Sequence, residues 1–133
     1  MVNLMQGVVN EGTAGRLRWK YGIDGAAGKT GTTNDQSDGW FIGYIPKLTA
    51  GVWVGAEDRQ VHFESLAYGG GSYMALPIWG IFMQKVLADP AIGIRNGESF
   101  VPPVGWNMSL ACTGGDDDLT SGGSAAAEDD FFN

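Results

Sequence analysis

A chain of 133 residues, 44% apolar and 11% aromatic, can bury a core and amounts to one domain or a piece of one, which excludes wholesale disorder. Its formal charge of −7 is unevenly spread: six of the fifteen acidic side chains (Asp116, Asp117, Asp118, Glu128, Asp129 and Asp130) stand in the stretch 114–133, leaving nine acidic against eight basic residues before it. The bases are scattered over a nearly neutral body, which excludes a nucleic-acid surface.

In chain order, Val2, Leu4, Met5, Val8 and Val9 fall at helical spacing and predict a short amphipathic helix over 2–11, ended by Gly12. A glycine-punctuated connection follows, GTAGRLRWKYGID. Three strands are predicted next: Gly25–Thr33, rich in small residues and threonine, then Trp40–Ile45 and Thr49–Gly55, aromatic and β-branched. Asn34–Gly39 reads as a turn, and Pro46-Lys47 is short enough to close a hairpin, so the three form an antiparallel meander. Beyond the glycine cluster at 69–71, Ser72 is a candidate N-cap for a helix over Tyr73–Leu87. Apolar residues cover most of that helix's circumference, which predicts heavy burial against the sheet, with Pro77 tolerated near its start and Asp89-Pro90 ending it.

Periodicity fades after Ala91. Pro102-Pro103-Val104-Gly105 reads as an extended edge segment, and residues 114–133 as an acidic low-complexity tail, expected to be disordered. A helix, three strands and a further helix make a partial α+β layer, with a sheet covered by helices and faces that need more chain to complete them. No apolar run reaches the ~20 residues of a membrane span, and no secretory leader pattern opens the sequence. Any such address of a secreted or anchored parent is expected elsewhere.

The block Gly28-Lys29-Thr30-Gly31-Thr32-Thr33 carries the chemistry. A phosphate loop, G-x-x-x-x-G-K-[ST], would need its first glycine at position 23, which is Ile23; Gly22 comes one residue too early. Such a loop must also open a helix, and Gly31, Thr32, Thr33 and Asn34 start one poorly. The other reading is the K-T-G strand of penicillin-recognising serine enzymes. There an edge strand accepts an extended peptide as an additional strand, and a backbone amide stabilises the oxyanion.

The neighbourhood favours the second. AAGKTGTTND followed by DGWFIGYIPKLTAGVWVGAEDR resembles the bifunctional, class A penicillin-binding proteins, as do the upstream VVNEGTAGRLR and the downstream GGGSYMALPIWGIFMQKVL. The resemblance covers residues 2–112 and implies that 1–113 is the C-terminal portion of a penicillin-binding transpeptidase domain, of the penicillin-binding and serine β-lactamase-like fold. It implies Lys29 as the lysine of the motif, acting in the charge network at the nucleophile and the substrate carboxylate. Thr30 would supply a hydroxyl to substrate and Gly31 close approach. Thr32 would lend its backbone amide to the oxyanion hole, and Thr33 would extend the binding edge.

The family's S-x-x-K and S-x-N serines precede K-T-G, and here Ser37, Ser65, Ser72, Ser99, Ser109, Ser121 and Ser124 each lack both the lysine three residues on and the asparagine two residues on. No nucleophile is therefore expected in this chain, and no turnover by it alone. What the resemblance implies for the parent is an extracytoplasmic, membrane-anchored peptidoglycan D,D-transpeptidase. Its partners would be stem peptides, β-lactams and the missing N-terminal part of the domain, with no cofactor or metal. The alternatives are a D,D-carboxypeptidase or β-lactamase fragment, or a non-catalytic piece that forms a homo-oligomer through its exposed sheet.

Bland expectations hold elsewhere. His62 is an exposed loop histidine, Cys112 a buried small residue, and Glu57-Asp58-Arg59 a solvated strand end. Trp40, Trp53 and Trp79 are core or sheet-packing residues.

Overall fold

The computed structural model describes residues 1–106; the expected tail, its boundary at 113 and Cys112 lie outside them. The elements are α1 (Val2–Asn10), α2 (Arg16–Trp19), β1 (Ala27–Thr32), β2 (Asp38–Ile45), β3 (Leu48–Gly55), α3 (Leu66–Gly69) and α4 (Gly71–Ala88), with single 3₁₀ turns at Asn34–Gln36 and Pro90–Ile92. The sheet has the order β1-β2-β3, both pairs antiparallel, as the short connections predict. Register runs from Ala27 opposite Tyr44 to Thr32 opposite Gly39, and from Asp38 opposite Gly55 to Ile45 opposite Leu48.

Residues that alternate along a strand face opposite sides of the sheet, so this register sorts the side chains into two faces. Phe41, Gly43 and Ile45 share one face with Leu48, Ala50, Val52 and Val54, and α4 packs on it. Trp79 of α4 is fully buried there, edge-on to Phe41 with ring centroids 5.3 Å apart, and its Nε1 donates to the Ala50 carbonyl at 3.0 Å. Close approach of helix to sheet depends on Gly43, where a Cβ would come within 2.8 Å of the Trp79 ring. Val9, Leu17, Ile23, Leu76 and Met83 complete the core from α1, α2, the link into β1 and α4.

The opposite face carries Trp40, Ile42 and Trp53, which remain 44%, 49% and 48% exposed. Trp40 and Trp53, directly opposed in the register, pack on each other at 6.5 Å and not into the core. Of the three tryptophans expected in the core or packed on the sheet, Trp79 lies in the core and Trp40 and Trp53 pack on the sheet. The all-round burial expected of α4 is corrected: Ala75, Leu76, Trp79, Met83 and Val86 are buried, whereas Ile78, Ile81 and Phe82 stay about half exposed. One flank of a helix meets the sheet, and apolar residues on the other flank have no partner among the described residues.

Gly70, not Ser72, is the N-cap of α4, and Pro77 lies inside a helix that continues past it to Asp89. The expected turn at Asn34–Gly39 is shorter than predicted, because Asp38 and Gly39 already belong to β2. No strand forms at 102–105; the chain turns there, with the Trp106 amide donating to the Pro103 carbonyl at 3.1 Å.

The segment after α4 returns as a strap. Asn96 accepts from the Asp24 amide and donates to the Gly22 carbonyl, Phe100 packs edge-on to Tyr44, and Lys47 Nζ reaches Glu98 Oε1 at 2.8 Å. The Lys47 hydrogen bond, aided by the Arg95 amide and both positive charges, holds the Glu98 carboxyl below its ordinary 4.5 against a smaller opposing effect of desolvation. A carboxyl depressed in the fold stabilises it above the unfolded pKa, and that contribution is lost as pH falls through the folded value. Lys47→Ala should therefore move the Glu98 titration, followed by carboxyl NMR, back up toward 4.5.

Candidate functional site

The site is built on the open side of β1. That strand pairs only with β2, so one of its edges has no strand beside it among the described residues. Which backbone groups face that edge follows from the end of the strand: the Thr33 amide donates to the Asp38 carbonyl at 3.1 Å and so points toward β2. Hydrogen-bonded and non-hydrogen-bonded pairs alternate along an antiparallel ladder. Gly31 and Lys29 therefore share the orientation of Thr33, while the N–H and C=O groups of Thr32 and Thr30 point to the open edge. Among the described residues neither the Thr32 nor the Thr30 amide has a backbone partner there.

Side chains bracket this edge from both faces. Lys29 stands exposed on the outer face, and its Nζ folds back onto the Thr30 carbonyl at 2.9 Å. On the helix face, Thr30 Oγ1 lies 3.2 Å from Thr13 Oγ1, which the connection between α1 and α2 brings alongside. Thr32 Oγ1 accepts the Gly71 amide at 3.0 Å, so a strand hydroxyl caps the first turn of α4. Gly71 itself lies directly beneath the strand pair: a Cβ there would run into the Gly31 carbonyl and come within 2.5 Å of the Trp40 carbonyl.

Beyond β1 the chain is pinned by Asp38. Thr33 Oγ1 accepts the Asp38 amide at 2.9 Å and lies 2.9 Å from Ser37 Oγ, and both hydroxyls donate to Asp38 Oδ2 at 3.3 Å. Asp38 Oδ1 accepts Trp53 Nε1 at 3.1 Å. Within this turn Asp35 and Gln36 both have left-handed backbone, φ 56° and 53°, a conformation that is strained for residues with side chains. Gln36 is held against Gly69 of α3, where a Cβ would come within 2.5 Å of its own Cβ.

Lys29, Thr30, Gly31 and Thr32 are thus gathered on one edge. Thr33 lies past the last strand residue, with its hydroxyl committed to Ser37 and Asp38. The sequence reading missed Thr13 and Gly71; GTAG and GGGS are visible as glycine turns, but nothing in either indicates contact with β1. Arg59 borders a shallow cleft with Thr33, Asn34, Asp35 and Ser37. His62 is exposed, its Nδ1 3.2 Å from the Phe63 carbonyl. Among the described residues no group of His, Cys, Asp and Glu could hold a metal, and no helix is long and apolar enough to cross a membrane.

The fold is α+β: a three-stranded antiparallel sheet backed by helices, with the Lys29–Thr32 strand at its edge. A crystal structure of penicillin-binding protein 1A from Haemophilus influenzae has this fold: it superposes with a TM-score of 0.62 at 22% identity, over 77% of this chain and 15% of that one. No family model matches the chain. Among curated proteins it is 42% identical over 85 residues to penicillin-binding protein 1A of Aquifex aeolicus, and 40% identical over 102 residues to that of Neisseria lactamica. The Pseudomonas aeruginosa protein of the same name matches at 42% over 89 residues, or 67% of this chain. The chain is thus a relative of penicillin-binding protein 1A, consistent with part of a class A transpeptidase domain. It spans only 10–12% of the length of these relatives.

Proposed function

We propose that this chain supplies the substrate-binding and oxyanion strand of a peptidoglycan D,D-transpeptidase whose nucleophile lies in sequence outside it. The observation that carries the reading is the pair of edge amides at Thr30 and Thr32, without a backbone partner among the described residues, next to the Lys29 ammonium. A stem peptide ending in D-Ala-D-Ala would add to this edge as an extended strand. The Thr32 amide would meet the oxygen that becomes negative when a serine attacks the penultimate carbonyl. Lys29 and Thr30 would take the terminal carboxylate and the charge near the serine. β-Lactams would present the same groups and acylate the same serine. In the whole protein this would take place on the extracytoplasmic side of the membrane. Thr33 fits the turn better than the binding edge, because its hydroxyl is already committed.

The test is acylation by a fluorescent penicillin, read by intact mass. The chain alone should form no adduct; mixed with a segment carrying S-x-x-K and S-x-N, the supplied serine should be labelled, and Lys29→Ala should abolish the labelling. An adduct on this chain alone would overturn the assignment. A second reading, favoured by the bare Trp40, Ile42 and Trp53 face, is a non-catalytic piece that self-associates through its sheet. Self-association with no labelling in the mixture would favour it.

A further inference from the structure

We propose that Thr13 is a second hydroxyl ligand for the substrate carboxylate, acting with Thr30. This rests on the reading of β1 as the substrate edge and extends it to a residue outside the K-T-G block. Thr13 belongs to the turn between α1 and α2, where the Ala14 amide donates to the Val8 carbonyl at 3.1 Å and the Gly15 amide to the Gly12 carbonyl at 3.1 Å. That tight turn requires Gly12, since a Cβ there would come within 2.9 Å of the Val8 carbonyl oxygen. The turn delivers the exposed Thr13 hydroxyl to within 3.2 Å of Thr30 Oγ1.

In a hydroxyl pair at this separation one donates and the other accepts, so the acceptor keeps its own proton free and both keep a lone pair. A carboxylate arriving at the edge can accept from both by rotation of the two O–H bonds, with no movement of the chain. The Lys29 ammonium, 2.9 Å from the Thr30 carbonyl, approaches the same edge from the opposite face of the strand. An anion at Thr30 would then meet a cation on one face and two hydroxyl donors on the other. Hydrogen bonds to a charged acceptor are the strong kind, so the second hydroxyl has a measurable effect. A neutral group at the same place gains much less from it.

The experiment is an NMR titration of the full chain, with labelled threonine methyl groups, against N-acetyl-D-alanyl-D-alanine and against its C-terminal amide. Wild type should bind the acid more tightly than the amide, with shifts at Thr13 and Thr30. Thr13→Val should weaken the acid about tenfold, leave the amide nearly unchanged and erase the preference, and Thr13→Ser should restore it. If Thr13→Val merely lowers the unfolding midpoint while the acid-to-amide ratio stays at the wild-type value, the residue only ties the turn to β1 and the proposal fails. In that case Lys29→Ala and Thr30→Val would still weaken the acid, and the assignment of the edge would stand. No shift at Thr13, Thr30 or Thr32 with either ligand in wild type would overturn both.

Discussion

Gly71→Ala is expected to destabilise the chain by roughly 3 kcal/mol, the upper end of what an added core methylene usually costs. The reason is the identity of the atoms a Cβ would meet. They are the carbonyls of Gly31 and Trp40, both in the strand backbone, so no side-chain rotation relieves the overlap. The Thr32 hydroxyl bond to the Gly71 amide would be lost as α4 moves away, leaving an unfilled N-terminal amide. Circular dichroism during denaturant unfolding measures this directly. Gly7→Ala is the matching control: it lies within α1 with no atom within 4 Å of its Cβ position, and should stabilise by up to about 1 kcal/mol. Equal effects at the two sites would refute the packing account.

Trp79→Ala should be at least as damaging, about 3–5 kcal/mol, against the 5–15 kcal/mol by which domains are ordinarily stable. It empties the largest fully buried side chain, removes the ring that Phe41 meets edge-on, and leaves the Ala50 carbonyl without its indole donor. The neighbouring glycine gives this prediction a second arm. A methyl at position 43 meets the Phe41 ring at 2.6 Å and the Trp79 ring at 2.8 Å in wild type; in Trp79→Ala the second contact is gone and the Phe41 ring gains room to turn away. Gly43→Ala should therefore be clearly destabilising alone and less so in the Trp79→Ala background. A double-mutant cycle with additive effects would sink the idea that these two residues share one volume.

Much of this architecture was legible in the residues. The Trp40–Ile45 and Thr49–Gly55 runs announce strands through their β-branched and aromatic content, and the short link between them fixes an antiparallel pairing. The Lys29–Thr32 block was identifiable because its chemistry needs few residues in close succession. What escaped was set by distant partners. Ser72 has the composition of a cap, yet the hydroxyl that serves the helix start comes from Thr32, 39 positions earlier. Asp38 reads as a turn residue; its bond to Trp53 commits it to the sheet instead. Trp40 and Trp53 look like core because apolar character does not reveal which face of a two-sided sheet is covered. The four-residue helices α2 and α3 are too short to leave a periodic trace.

The meander also bears on how the unit is formed. Every strand pairs with its sequence neighbour, and α4 follows β3 closely enough to fall back on the sheet it has just left. Strand pairings so local require only small loops to close, which favours early formation of the sheet. The meander can pair as soon as its own residues are available, whereas the strap that carries Asn96 must close back onto Gly22 over a much longer loop. Early arrival has a hazard, since β3 then presents an unpaired strand edge to other chains. Its Gly51 and Gly55 are poor β-formers at that edge and slow adventitious strand addition.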